Sequence, residues 1–269
     1  MKKLIVISCI VFCTLTSMAP HEINSSDKNV PSLLPSETSE GEGVSQYLDS
    51  VYNMLHLDSL GLDQHVFFYA CKGYQYLLSQ HKLQNPDLLT ICDFTQSSTS
   101  KRLYVIDMQQ GIVLFNTYVS HGKKSGSEYA TSFSNKTDSH KSSLGFMITG
   151  NTYSGKNGYS MQFDGLEKGI NDKVKSRSIV MHGSNYVNEQ RACAGDAMGR
   201  SYGCPAVPYE LHKKIIDAIK SGSCFFSYAN DKWYAATSKI LNAHFQWPTA
   251  IAATETNASP SDQAYQSAH

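Results

Sequence analysis

The sequence lacks a net charge, an internal repeat and any long apolar run beyond its N-terminal segment. Its 269 residues carry 23 basic and 23 acidic side chains, and this balance predicts no basic surface of the kind that binds nucleic acid. No stretch after residue 19 approaches the roughly 20 apolar residues that span a bilayer, so we expect no membrane span. Charged residues are sparse at 17%, whereas a hydrophobic content of 41% is enough for a packed core.

The N-terminal segment predicts an exported protein. Lys2 and Lys3 precede an apolar run from Leu4 to Thr16, which is too short for a stable membrane-spanning helix and is typical of a signal peptide over residues 1–19. Enrichment in Ser, Pro, Glu and Asn over residues 20–43 indicates a flexible linker. We therefore expect the mature protein in the periplasm or cell envelope.

Five cysteines remain after the signal peptide, and export permits disulfides. An odd number leaves at least one thiol free in a monomer, which is the oligomeric state we expect. Four of them can pair in three ways, and five buried free thiols are an equally good interpretation. If one thiol is kept for chemistry, Cys204 fits that role. The five are Cys71, Cys92, Cys193, Cys204 and Cys224.

Apolar spacing divides the rest of the chain into a helical hairpin over residues 44–85 and a β-rich region over residues 86–240. In the hairpin, one helix is predicted over 44–57 and a second begins after Asp63, a good N-cap. The hairpin must pack on another element to bury its apolar faces. Short strands separated by Gly, Asn and Ser turns then predict a mainly β sandwich or barrel with helices. The predicted strands span 88–94, 102–108, 112–119, 144–148, 160–163, 178–181 and 224–228.

Three further segments complete this organisation. One clear amphipathic helix is predicted over residues 208–220. Residues 120–143 are rich in Ser, Gly, Lys and Asn, so we predict a mobile loop that covers a cleft. Residues 241–269 are predicted to be a polar C-terminal tail.

Two segments carry the residue types of nucleophilic catalysis. His182 ends a predicted strand and is followed by Gly183, and Cys204 follows Gly203 in a turn just before the predicted helix. A cysteine nucleophile needs a neighbouring base, because the thiolate is the reactive form. Gly203 frees the backbone, so the N–H groups of Gly203 and Cys204 can point at one oxyanion.

Other interpretations use the same residues. Gly199-x-Ser201-x-Gly203 fits a serine nucleophile elbow, but no strand precedes it and no alternating β/α pattern surrounds it. His182, Cys193 and Cys204 are possible zinc ligands, although their spacing is not that of a structural site and no fourth ligand is evident. We therefore predict no metal and no cofactor.

The sequence around these residues resembles the murein L,D-transpeptidase catalytic domain family, which has a YkuD-like β-sandwich fold. The family signature is a His followed, after a variable gap, by Ser-x-Gly-Cys, here His182 and Ser201-Tyr202-Gly203-Cys204. The resemblance runs from about Leu89 to Tyr228. Tyr202 departs from it, because many members carry a second His at this position.

The resemblance implies a cysteine enzyme acting on peptidoglycan stem peptides through a thioester, giving 3→3 cross-links. Cys204 would be the nucleophile, His182 the base and the Gly183 carbonyl the group that orients the imidazole. The N–H groups of Gly203 and Cys204 would stabilise the oxyanion. Two alternatives remain open, namely a peptidase or L,D-carboxypeptidase that uses water as acceptor, and a cell-wall-binding protein without turnover.

Several polar residues are candidates for substrate contact. Arg200 beside the turn is suited to a stem carboxylate, because the substrate is anionic. Asn171, Arg177 and Asn185 are weaker candidates. The loop predicted over residues 120–143 has three polar residues in or beside it: His121, Asn135 and Ser143. The substrate-binding residues that we predict are Arg200, Ser201, Tyr202, His121, Asn171 and Asn185.

Overall fold

A computed structural model of the chain describes residues 39–248. The predicted signal peptide, and most of the predicted linker and C-terminal tail, lie outside this range. Within it, no helix is both long and apolar enough to cross a bilayer.

Two helices precede the sheet, as expected. Helix α1 spans Ser39–Met54 and therefore begins inside the predicted linker, whereas α2 spans Gln64–Ser79. Asp63 caps α2, because its carboxylate accepts hydrogen bonds from two first-turn backbone N–H groups. Gly73 lets α2 lie directly on the sheet, since a Cβ built there would be 2.0 Å from Cζ of Phe146.

Eight strands form one continuous sheet, so the predicted mainly β architecture with helices is confirmed. All seven predicted strands are present, and their order in the sheet is β3-β2-β1-β8-β4-β5-β6-β7. The last strand in the sequence is central, because β8 pairs in parallel with β1 and antiparallel with β4. The strands are β1 (Leu88–Asp93), β2 (Leu103–Asp107), β3 (Ile112–Thr117), β4 (Gly145–Gly155), β5 (Gly158–Gly165), β6 (Val180–Ser184), β7 (Ala206–Pro208) and β8 (Cys224–Tyr228).

Three short elements were not predicted from the sequence. Strand β7 has three residues, helix α3 (Glu189–Cys193) has five and helix α5 (Lys232–Thr237) has six, which is too short for a periodic apolar signal. The predicted helix over 208–220 is present as α4 (Tyr209–Ile219). Its buried face, which includes Ile215 and Ile216, packs on the part of the sheet that carries β6 and β7.

The core lies between α2 and the central strands. Phe146 and Phe226 stack with ring centroids 4.1 Å apart, and burial of such side chains contributes roughly 1.5–3 kcal/mol each. Packing continues beyond residue 240, where Leu241 is buried and the ring of Phe245 contacts that of Tyr76. Leu241 and Phe245, which lie in the predicted polar tail, therefore pack against the rest of the fold.

Candidate functional site

A cleft of about 450 Å³ brings together six of the residues predicted from the sequence. They come from β6 and from the loop before β7, and parallel pairing of these two strands sets His182 opposite Ala206. This register places the Cys204 turn beside the start of β6, where the N–H of Val180 donates to Sγ of Cys204 at 3.5 Å. The six residues are His182, Gly183, Arg200, Ser201, Tyr202 and Cys204, and the weaker candidate Arg177 lines the cleft as well.

The imidazole of His182 has a defined tautomer. Its Nδ1 lies 3.0 Å from the carbonyl oxygen of Gly183. A carbonyl only accepts, so Nδ1 carries the proton and Nε2 of the neutral ring is left as an acceptor. Burial lowers the pKa of His182, the hydrogen bond to Gly183 opposes that shift, and the charge of His212 reinforces it. Burial therefore favours the neutral form of the ring, in which Nε2 is free to accept a hydrogen bond.

The thiol of Cys204 is buried, with 8% of the residue exposed. It lies 3.7 Å from the carbonyl oxygen of Ser178, to which it donates. Burial raises the pKa of the Cys204 thiol, while the N–H of Val180 and the charge of Arg177 lower it in part. Burial thus lowers the pKa of the imidazole and raises that of the thiol, so it favours the neutral form of both groups.

The turn before Cys204 requires glycine at position 203. Gly203 has φ +116, and a Cβ there would be 2.7 Å from the carbonyl oxygen of Lys141. Its N–H donates to Oγ of Ser201 at 3.1 Å, so the amide predicted as one oxyanion donor is already engaged. Ser201 thus shapes the turn. The backbone N–H of Cys204 lowers the pKa of the thiol of the same residue.

Arg200 and Tyr202 occupy the mouth of the cleft. The guanidinium of Arg200 lies over the ring of Tyr186 at 5.7 Å and has no hydrogen-bond acceptor among the described residues. Tyr202 is 63% exposed, yet its ring stacks on His140 at 4.4 Å and has the ammonium group of Lys123 at 4.1 Å. Tyr202 is therefore held in place although it protrudes.

Three predicted substrate-binding residues lie elsewhere. His121 is fully buried, with Nη2 of Arg102 at 2.8 Å from its Nδ1 and the carbonyl oxygen of Gly126 at 3.2 Å from its Nε2. Asn171 is also buried and donates to the carbonyl oxygens before and within β4. Asn185 is exposed but does not line the cleft. Composition could not separate these residues from those of the cleft.

The loop over residues 120–143 supplies cleft residues that sequence reasoning missed. Asp138 and His140 line the cleft, and both have φ 54, a left-handed conformation that is uncommon outside glycine. Asn157, at the tip of the β4–β5 hairpin, lines the cleft as well. In the sequence, only the length of this loop indicated that it contributes residues to the cleft. The loop is anchored to the following segment, because the side chain of Asn135 donates to Asp172 at 2.7 Å.

Neither a metal cluster nor a disulfide is present in residues 39–248. No three His, Cys, Asp or Glu side chains of this range are grouped to hold an ion, and Cys193 lies outside the cleft. All five cysteines of the range are free, and Cys193 is the exposed one. Three others are fully buried, where burial raises their pKa: Cys71, Cys92 and Cys224.

Comparison with known proteins gives one family and several distant structures. Residues 58–228 match the family model for the L,D-transpeptidase catalytic domain. Similar structures include an L,D-transpeptidase from Mycobacterium smegmatis, with 12% identity, a TM-score of 0.33, and coverage of 53% of this chain and 59% of that chain. A variant of the helical cell shape determining protein Pgp2 from Campylobacter jejuni has 15% identity, a TM-score of 0.35 and coverage of 61% and 57%. An L,D-transpeptidase from Stackebrandtia nassauensis has 14% identity, a TM-score of 0.33 and coverage of 73% and 93%.

The chain spans less than two thirds of the length of the first two of these structures. No curated protein gives a significant match.

Proposed function

The chain belongs to the L,D-transpeptidase catalytic domain family, and we propose that it is a cysteine L,D-transpeptidase that joins peptidoglycan stem peptides through a thioester on Cys204. The observation that carries the proposal is the shared cleft of Cys204 and His182, in which the Gly183 carbonyl fixes Nδ1 of the imidazole and leaves Nε2 to accept a proton. A thiol and a base with that free nitrogen are the minimum for acyl transfer by cysteine.

Acylation begins when Sγ of Cys204 attacks the carbonyl carbon of the L-centre residue that precedes the terminal D-alanine of a tetrapeptide stem. His182 Nε2 takes the thiol proton as the S–C bond forms. The C–N bond to D-alanine then breaks, and the imidazolium returns its proton to the leaving amine. A thioester remains on Cys204, and the Gly183 carbonyl keeps the ring aligned through both transfers.

The oxyanion of the tetrahedral intermediate is stabilised by the N–H of Cys204. A correctly placed donor contributes about 3 kcal/mol to transition-state stabilisation. The N–H of Gly203 can join it only by leaving the Ser201 hydroxyl, since that bond is made in the free protein. The Ser201 hydroxyl therefore fixes the turn that presents the oxyanion site.

Substrate binding uses the cleft arginine whose guanidinium has no hydrogen-bond acceptor among the described residues. The exposed guanidinium of Arg200 binds a carboxylate of the stem peptide, because it is held over Tyr186 with its donors free. The thioester is then released by an amine of a neighbouring stem, which gives a 3→3 cross-link. Such substrates lie outside the cytoplasm, so the protein acts in the periplasm or cell envelope, with peptidoglycan as its partner.

Incubation of the protein with tetrapeptide muropeptides, followed by mass spectrometry, tests the proposal. We expect a dimer with a 3→3 linkage and release of D-alanine. The matched variants are Cys204→Ala, which gives no product, and Cys193→Ala, which removes an exposed thiol outside the cleft and keeps the activity. Tripeptide without dimer identifies water as the acceptor instead, and binding to sacculi without any product identifies a wall-binding protein.

A further inference from the structure

Arg177 is the most heavily hydrogen-bonded cation in the cleft. Its Nη1 donates to the carbonyl oxygen of Ser134 at 2.7 Å and to Oγ of Ser143 at 2.6 Å. Its Nη2 donates to Oγ of Ser139 at 3.1 Å and to the carbonyl oxygen of Lys141 at 2.7 Å. All four acceptors belong to residues 134–143, so this one guanidinium closes the loop on itself.

None of these acceptors neutralises the charge of Arg177. They are two hydroxyls and two carbonyls, and no carboxylate within residues 39–248 forms an ion pair with this guanidinium. An uncompensated, half-buried cation is costly unless it serves a nearby negative charge. With its donors occupied within the loop, Arg177 has little left to offer a substrate carboxylate, unlike Arg200.

The negative charge that Arg177 can serve is the thiolate of Cys204. A Cβ built on Gly203 would lie 3.4 Å from Nη2 of Arg177 and 2.7 Å from the Lys141 carbonyl oxygen that Nη2 binds. The guanidinium thus abuts the turn that carries the nucleophile. Arg177 also directly precedes Ser178, whose carbonyl accepts from the Cys204 thiol, and its charge lowers the pKa of that thiol.

The same guanidinium fixes the wall of the cleft. Asp138 and His140 flank Ser139, one of the four acceptors, and both line the cleft with left-handed backbone. Such a conformation is uncommon outside glycine and persists where surrounding contacts enforce it. Bonds from Arg177 to Ser139 and Lys141 bracket His140, whose ring stacks on Tyr202.

We propose that Arg177 is a positioning residue that couples two parts of the site. Its guanidinium holds loop 134–143 beside the Gly203–Cys204 turn and supplies the fixed positive charge that favours the Cys204 thiolate. This inference rests on Cys204 as the nucleophile of the proposed function, but its test requires no muropeptide substrate.

The test compares Arg177→Gln, which loses the charge, with Arg177→Lys, which keeps the charge and loses the planar fork. All proteins carry Cys193→Ala, so that Cys204 is the cysteine of residues 39–248 that alkylating reagent reaches first. The control is Lys175→Gln, which removes one positive charge from the same segment, where Lys175 pairs with Asp164 at the surface. Iodoacetamide alkylation of Cys204 is followed against pH by mass spectrometry, and hydrogen exchange is measured for the amides of residues 134–143.

We expect Arg177→Gln to move the alkylation profile to higher pH and to slow alkylation several-fold at neutral pH. Arg177→Lys should keep most of the profile yet raise hydrogen exchange in loop 134–143, because an ammonium group cannot hold four acceptors in one plane. Lys175→Gln should change neither. The proposal is overturned if the Gln variant alkylates as the parent does, or if the folded Lys variant retains the parent's exchange in the loop. Since the Lys variant is judged on exchange alone, a Gln variant that fails to fold still leaves a decisive result.

Discussion

Two buried histidines differ in how many of their ring nitrogens are hydrogen-bonded. In the buried cluster of Arg102 and His121, Nδ1 of the histidine accepts from Arg102 and Nε2 donates to the carbonyl of Gly126. In the cleft, His182 uses only Nδ1, as a donor to Gly183. The tautomers are opposite, and of these two rings only that of His182 has a nitrogen without a hydrogen-bond partner. Unused hydrogen-bonding capacity is what separates the cleft from the cluster.

The arginines of the cleft repeat this contrast. The terminal nitrogens of Arg177 donate to four acceptors of one loop. The exposed guanidinium of Arg200, in contrast, lies over Tyr186 without a hydrogen-bond acceptor among the described residues. This difference supports the two proposed roles, positioning for Arg177 and substrate binding for Arg200. Variants that remove one member of each pair test this contrast directly.

The largest expected effect is on covalent chemistry. Cys204→Ala should abolish the acyl-enzyme adduct with a carbapenem, because the atom that attacks the carbonyl is gone. Ser201→Ala should retain the adduct and form it more slowly, since only the bond that shapes the turn at Gly203 is lost. Intact-protein mass spectrometry measures both. An adduct on the Cys204 variant, with none on the Ser201 variant, would identify Ser201 as the nucleophile instead.

Removal of each histidine should separate activity from stability. His182→Gln should lower the acylation rate by about 10²- to 10⁴-fold, the usual contribution of a general base, with little change in unfolding free energy. His121→Leu should lower the free energy of unfolding by about 1–3 kcal/mol, because Nη2 of Arg102 loses an acceptor in a buried site. Stopped-flow kinetics measures the acylation rate, and urea unfolding measures the free energy of unfolding. Equal effects of the two variants on both quantities would contradict the different roles of the two histidines.

The buried cluster should also make stability depend on pH. Burial, together with the charge of Arg102, lowers the pKa of His121 from 6.5 to about 4. The unfolded chain therefore takes up the proton first, so this stability is fully present above about pH 6.5 and is lost as the pH falls toward 4. The loss is on the order of 3 kcal/mol for such a shift. Urea unfolding at several pH values should show a steeper decline in the parent than in His121→Leu, and parallel curves would contradict the account.

The smallest expected effect concerns Tyr202. Tyr202→Leu should change kcat/KM within about fivefold, because exposed stacking on His140 and the contact with Lys123 contribute about 1 kcal/mol or less. Tyr202→His, which restores the residue common in the family, should fall between Leu and the parent. Steady-state kinetics with a muropeptide measures the series. A loss above a hundredfold would place Tyr202 among the groups that contact the reacting atoms.

Local patterns predicted the elements well where they were long. Asp63 marked the start of α2, and alternating or continuous apolar runs marked seven strands, because such patterns record burial over several residues. They failed for β7 and α3, which are too short to show a period. They also failed to show that His121 is buried away from the cleft, since His121, like His182, follows a predicted strand and precedes a glycine.

The sequence by itself determined the family and the candidate chemistry, because His182 and the Ser201–Cys204 turn are local patterns that can be recognised in the sequence alone. Tertiary structure decided which atoms of those residues are free. Parallel pairing of β6 with β7 brings the two patterns into one cleft, and the Gly183 carbonyl selects the tautomer of His182. Arg177 places the loop over residues 134–143 beside the turn that carries Cys204. Hydrogen-bond saturation depends on neighbours that are distant in sequence, and for that reason only the folded chain distinguishes the residues of the cleft from those that support it.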